Sequence, residues 1–148
     1  MNNRIDIRFP AKSENEALAR LVIASFLSPI DPLVDELAEF KTALSEAVTN
    51  AIIHGYEEDE EGYIEVKAVL TGHYVQVDIR DEGLGIENVE LAKEPLYSSK
   101  AHEERSGMGF TIMESFCDEV KITSQAGFGT VISLVKQFTP TASFSKVH

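Results

Sequence analysis

Three short segments of this chain hold residue types that could grip a small polar ligand. Asp81-Glu82-Gly83-Leu84-Gly85 follows a run that alternates polar and apolar residues. A carboxylate at a strand end can accept a hydrogen bond from an exocyclic amine. Two glycines spaced as Gly83 and Gly85 permit close approach of backbone to a ligand. Ser106-Gly107-Met108-Gly109-Phe110 precedes an apolar stretch with helical spacing. Free N–H groups at a helix start can cradle a phosphate, helped by the helix dipole. Gly127, Gly129 and Thr130 form another glycine-bearing turn, for which a hairpin bend is the simplest reading. To these is added Glu46, one helical turn before Asn50. The two share a face distinct from the apolar stripe of Phe40, Leu44, Ala47, Val48 and Ala51. Taken alone, such a pair is a solvated polar edge.

Two familiar phosphate motifs are excluded. The Ser106–Phe110 segment lacks the G-x-x-x-x-G-K-[ST] spacing of a P-loop, and it is not a G-x-G-x-x-G following a strand.

The elements that must carry these residues can be read from periodicity. Residues 4–9 alternate as a strand with one wet face. Ser13 and Glu16 have capping-box spacing for a first helix ending near Leu27. Asp31 and Pro32 have the types of an N-cap and first helical residue for a second helix reaching His54, with Gly55 as its stop. Strands follow over 63–70 and 74–80, turning at Thr71-Gly72-His73, with Val75, Val77 and Ile79 inward. The polar stretch 87–106 is too long for a routine connection. A short helix over about 107–116 and a hairpin of 120–124 with 130–135 complete the order. Without strict βαβ alternation, this order predicts an α+β two-layer sandwich with a mixed, mostly antiparallel sheet. A single domain over 1–137 is expected, with 138–148 as a disordered polar tail.

Composition sets bounds on what such a domain does. The chain has 148 residues, of which 43% are hydrophobic and 26% charged, enough for one core. The net charge of −12 repels nucleic acid and favours a basic protein partner. The acidic run 57–61 reads as a solvated loop. No apolar run approaches the roughly 20 residues of a membrane helix, and no signal-peptide core opens the chain, so a cytoplasmic protein is expected. Cys117 reads as a buried, inert thiol, and His54, His73 and His102 as structural or surface residues.

The order of the motifs is more specific than any one of them. Glu-x-x-x-Asn on a helix, D-x-G-x-G, a long polar segment, G-x-G at a helix start and Gly-Thr on a strand resemble the Bergerat (GHKL) ATP-binding superfamily. The resemblance spans about residues 5–136. The wording Ser-Glu-Ala-Val-Thr-Asn-Ala-Ile-Ile-His-Gly-Tyr at 45–56, with Arg-Ser-Gly-Met-Gly-Phe at 105–110, is similar to the anti-sigma serine kinases of spore-forming bacteria. The resemblance implies Glu46 as general base, Asn50 as Mg²⁺ ligand and Asp81 on the adenine amino group, with Gly83 and Gly85 beneath the base. It implies Ser106, Gly107, Met108 and Gly109 around the phosphates of ATP or ADP, Arg105 on the γ-phosphate, and Thr130 near the adenine edge. Residues 87–106 would be the ATP lid. Implied partners are sigma F, which such a protein inhibits, and an anti-sigma factor antagonist, which it phosphorylates on serine. A departure occurs at Leu96-Tyr97-Ser98-Ser99-Lys100, where threonines beside an aromatic residue are expected.

Two rival readings fit the residues less well. A histidine-kinase catalytic fragment would need a phospho-accepting histidine upstream, and none precedes His54. A nucleotide-gated binding module without kinase activity would not need the implied base at Glu46.

The first helix carries one further expectation. Leu18, Leu21, Val22 and Ser25 should pack on the sheet. Glu16, Arg20, Ile23 and Leu27 would then lie on the uncovered side, where Arg20, Ile23 and Leu27 would form a partner or homodimer surface.

Overall fold

Alternating side chains give five strands one dry face and one wet face, and the dry face is where the helices pack. The computed structural model describes residues 2–55, 62–82, 105–125 and 129–141. In chain order the elements are β1 (Asn2–Pro10), α1 (Glu14–Leu27), α2 (Val34–Asn50), β2 (Tyr63–Thr71), β3 (Tyr74–Asp81), α3 (Arg105–Phe116), β4 (Glu119–Gln125) and β5 (Gly129–Gln137). The sheet order is β1-β2-β3-β5-β4, and every pairing among these strands is antiparallel. Ile64, Val66, Ala68 and Leu70 on β2, Val75, Val77 and Ile79 on β3, and Ile132 and Leu134 on β5 are buried beneath the helices. The α2 stripe of Phe40, Leu44, Ala47, Val48 and Ala51 is buried as expected. It forms the centre of the helical layer, with α1 and α3 both packed against α2.

The opposite face of the sheet is wet and charged. Arg8, Glu65 and Arg80 stand in one cross-strand row, and Asp6, Lys67 and Asp78 in the next. Each charge therefore faces its opposite across the strand, an arrangement worth about 0.2–1 kcal/mol per pair. The Arg8 guanidinium also lies 4.3 Å from the centre of the Tyr63 ring.

Four local expectations are corrected. Ser13 does precede α1, but its backbone is already helical and its side chain caps nothing. Glu16 instead accepts a hydrogen bond from Arg20 Nε at 3.1 Å. The second helix begins at Val34 rather than at Pro32, because residues 28–30 form a 3₁₀ turn that ends with Asp31 left-handed at φ 51°. A residue before proline is disfavoured in the right-handed helical region, and aspartate tolerates the left-handed one.

The faces of α1 are reversed. Ile23 and Leu27 are fully buried with Ala19, whereas Leu18 and Leu21 are 47% and 68% exposed. Both sides of this helix carry apolar residues, so periodicity alone did not select the inner one. Packing against α2, β1 and β2 did. Ile23 and Leu27 are core residues and offer nothing to a partner or to a second copy. Arg20 remains part-exposed.

The fourth correction concerns the C-terminal segment. Phe138 is fully buried and meets Phe40 edge-on, with ring centres 5.6 Å apart. The Thr139 amide and hydroxyl donate to the Glu36 carboxylate at 2.9 and 2.8 Å, and the Thr141 hydroxyl donates to the Asp31 carbonyl at 2.8 Å. The folded domain therefore runs beyond 137, to at least Thr141. Residues 142–148, the acidic run 57–61 and most of the expected lid lie outside the described residues.

Candidate nucleotide-binding site

The core is apolar except where the chemistry was expected. Among the described residues, the buried polar or charged side chains are Asn50, Asp81 and Thr130, at 7%, 4% and 3% exposure. Burying such groups costs free energy unless a partner or ligand meets them. Asp81 ends β3 on the inner face of the sheet, directly opposite Thr130 of β5. Thr130 in turn faces Ser124 of β4, and their hydroxyl oxygens are 2.8 Å apart. The result is a cross-strand row of carboxylate and two hydroxyls. Sequence reasoning missed Ser124, because only the β4–β5 register places it beside Thr130.

Gly129 decides how closely β5 approaches β3. Its φ is +104°, and a Cβ there would collide with the Asp81 carbonyl and lie 2.8 Å from Glu82 Cα. Only glycine fits this position. A cleft of about 340 Å³, lined by Arg80, Asp81, Thr123, Ser124, Gly129, Thr130 and Val131, opens at this end of the sheet. That volume is within the usual range for a small-ligand pocket.

Glu46 and Asn50 come from the C-terminal half of α2. After Asn50 the helix widens into a π turn over Ala51–Gly55, which packs against β3 and β5. Such wide turns are frequent at functional sites because they re-aim the side chains around them. No described residue takes a side-chain hydrogen bond from the buried Asn50 amide. Glu46 is half-buried and faces α3, where its Oε2 lies 2.9 Å from the place a Cβ on Gly109 would occupy.

The position of α3 changes what its glycines can do. The helix starts at Arg105, earlier than the expected 107. The free N–H groups of a helix are confined to its first turn, so the amides of Arg105, Ser106 and Gly107 are available to an anion. The Gly109 N–H is instead directed at the Arg105 carbonyl. Gly109 is buried, and Met108 is 42% exposed. The side chains of Arg105 and Ser106, and all of Gly83 and Gly85, lie outside what the structure describes.

The residues present suit a divalent cation of a particular kind. Among the described residues there is no cluster of three His, Cys, Asp or Glu side chains able to hold a metal. An ion here would take the orphaned Asn50 amide oxygen and complete its shell with substrate oxygens and water, as Mg²⁺ does. Cys117 plays no part in such chemistry. Burial pushes its thiol up to about 12, which leaves it protonated and unreactive at neutral pH.

A family model described as a histidine kinase-like ATPase domain matches residues 9–136. The anti-sigma F factor of Anoxybacillus flavithermus is 52% identical over 139 residues, covering 94% of this chain and 95% of that protein. The anti-sigma F factor of Bacillus subtilis shows the same identity and coverage. This chain belongs to the anti-sigma F factor family of histidine kinase-like ATPase domains. A third member, from Shouchella clausii, is 48% identical over 99% of this chain and all of its own length.

Solved structures support the fold. The RsbU and RsbW domains of a Mycobacterium tuberculosis protein match with a TM-score of 0.66 and 24% identity, over 93% of this chain and 32% of that one. The histidine kinase domain of a blue-light activated kinase from Erythrobacter litoralis matches with a TM-score of 0.56 and 17% identity, over 86% and 61%. No described helix is long and apolar enough to cross a membrane.

Proposed function

We propose that the chain is an ATP-dependent serine protein kinase that binds and inhibits sigma F and phosphorylates an anti-sigma factor antagonist on serine. The observation that carries this reading is the coincidence of the buried polar set Asn50, Asp81 and Thr130 with the motif positions, in a core otherwise apolar. Asp81 accepts the adenine amino hydrogen, and the Ser124–Thr130 hydroxyl pair meets the neighbouring edge of the base. The first-turn amides of α3, with Arg105, meet the phosphates of ATP or ADP. A bound Mg²⁺, held by Asn50, would offset the phosphate charge. Glu46 takes the proton from the attacking serine hydroxyl. The serine oxygen bonds to the γ-phosphorus while the bond to the β,γ-bridging oxygen breaks, releasing ADP and phosphoserine. Sigma F as the inhibited partner rests on the named relatives, with the net charge of −12 favouring a basic surface.

The test is Glu46→Gln with labelled ATP, Mg²⁺ and the antagonist. Phosphoserine formation should fall by about 10² to 10⁴ while ADP affinity is unchanged. Transfer at the normal rate would remove Glu46 as the base, whereas no phosphoserine formed by the wild-type protein would leave a nucleotide-gated binding module as the better account.

A further inference from the structure

A glycine inside a helix needs a reason, because it is the poorest helix former after proline. Gly109 has none of the usual ones. Its φ is not positive; among the described residues only Gly72 and Gly129 are glycines of that kind. Its N–H is spent within α3 and does not face a phosphate. It is buried, so solvent exposure does not explain it. What it does have is a neighbour. A Cβ at 109 would stand 2.9 Å from Glu46 Oε2, 3.7 Å from Glu46 Cβ and 3.8 Å from Glu46 Cδ. Outside the backbone of α3 itself, the three atoms nearest that point all belong to one side chain, the one proposed above as the base.

We infer that Gly109 is a positioning residue for Glu46: the missing Cβ is the space in which the carboxylate is seated, between α2 and the second turn of α3. The inference rests on the reading of Glu46 as the base. A methyl group at 109 meets the far end of a flexible side chain rather than backbone, so the fold survives and the carboxylate moves. A displacement of about 1 Å is enough to spoil proton transfer, which requires hydrogen-bond reach of the serine hydroxyl.

The experiment is a set of variants read in single-turnover transfer from labelled ATP to the antagonist, with ADP binding and thermal melting measured on each. Gly109→Ala should melt no lower than wild type and bind ADP within about 3-fold, yet transfer phosphate about 100-fold more slowly. Glu46→Asp withdraws the carboxylate by one methylene and is slow by itself. Adding Gly109→Ala to Glu46→Asp, or to Glu46→Gln, should cost no more than a further 3-fold, since the displaced group is already short or inert. The same 100-fold loss in all three backgrounds, or a loss of ADP affinity matching the loss of rate, would assign Gly109 to the phosphates or the helix and overturn the inference. So would wild-type transfer by Gly109→Ala in a protein whose Glu46→Gln variant is inactive, which would leave the base intact. Full activity of Glu46→Gln would sink both readings.

Discussion

A buried polar side chain is the residue-scale signature of this site, and the two best examples should fail in different ways. Asn50 is 7% exposed and has no described side-chain partner, so its amide contributes chiefly when a cation is present. Asn50→Ala should weaken ATP binding in Mg²⁺ and leave binding in chelator nearly unchanged. Asp81, at 4% exposure, faces Thr130 at the end of β3, and the proposed reading gives it the contact to the base. Asp81→Asn should weaken ATP and ADP alike by about 10- to 100-fold, with or without metal, the scale of a lost hydrogen bond to a charged group. Calorimetry with both nucleotides, in Mg²⁺ and in chelator, separates the two. An Asn50→Ala loss as large in chelator as in Mg²⁺ would contradict the metal role, and an Asp81→Asn loss confined to Mg²⁺ or to one nucleotide would contradict the contact to the base. Ser124 belongs at this scale as well, since its hydroxyl oxygen lies 2.8 Å from that of Thr130, within hydrogen-bond distance.

At the scale of elements, α2 is the part on which most else depends. Its C-terminal half carries Glu46 and Asn50 and passes into the π turn against β3 and β5. Its N-terminal half is tied down by the segment after β5. Phe138 closes the core against Phe40, and Thr139 and Thr141 bind the Glu36 and Asp31 region. This segment should therefore count in stability, unlike a fraying tail. Phe138→Ala should destabilise the domain by about 3–5 kcal/mol, as for other large-to-small changes in a core. Thr139→Ala removes an exposed side-chain bond and keeps the backbone one, and should cost about 1 kcal/mol. Urea unfolding of the two variants tests the order. A Phe138→Ala loss below that of Thr139→Ala would mean the segment is not anchored as described.

At the scale of the whole molecule, one sheet face is solvated by alternating charges and the other is covered by helices. Among the described residues, the part-exposed side of α1 is a surface of mixed chemistry. Arg20 lies there, 41% exposed and paired with Glu16, near the exposed Leu21. An exposed helix pair of this kind is worth only about 0.3–0.5 kcal/mol, so reversing the charge leaves the fold intact. Arg20→Glu should weaken capture of sigma F or antagonist by at least about 10-fold, the scale of a lost charged contact at an interface. Its melting temperature and ADP affinity should match wild type. Unchanged affinity for both partners would remove Arg20 from the interface. Ile23 and Leu27 need no such test, since they are buried in the core.

Much of this was legible in the residues themselves. Strand and helix types follow from periodicity, and the α2 stripe of Phe40, Leu44, Ala47, Val48 and Ala51 selects its own buried face because its other sides are polar. Asn50, Asp81 and Thr130 stand out by type and order in the sequence alone. What the sequence could not decide are outcomes of competition between distant parts. α1 has apolar residues on both sides, so only its docking against α2, β1 and β2 buries Ile23 and Leu27 and exposes Leu18 and Leu21. Phe138 follows the last strand in a polar context, and only the position of Phe40 makes it core. Ser124 gains its partner from strand register, and Gly109 gains its reason from Glu46, 63 positions earlier in the chain. Local pattern determines which elements form; which face turns inward, and which glycine must stay bare, is determined by what the folded chain brings against it.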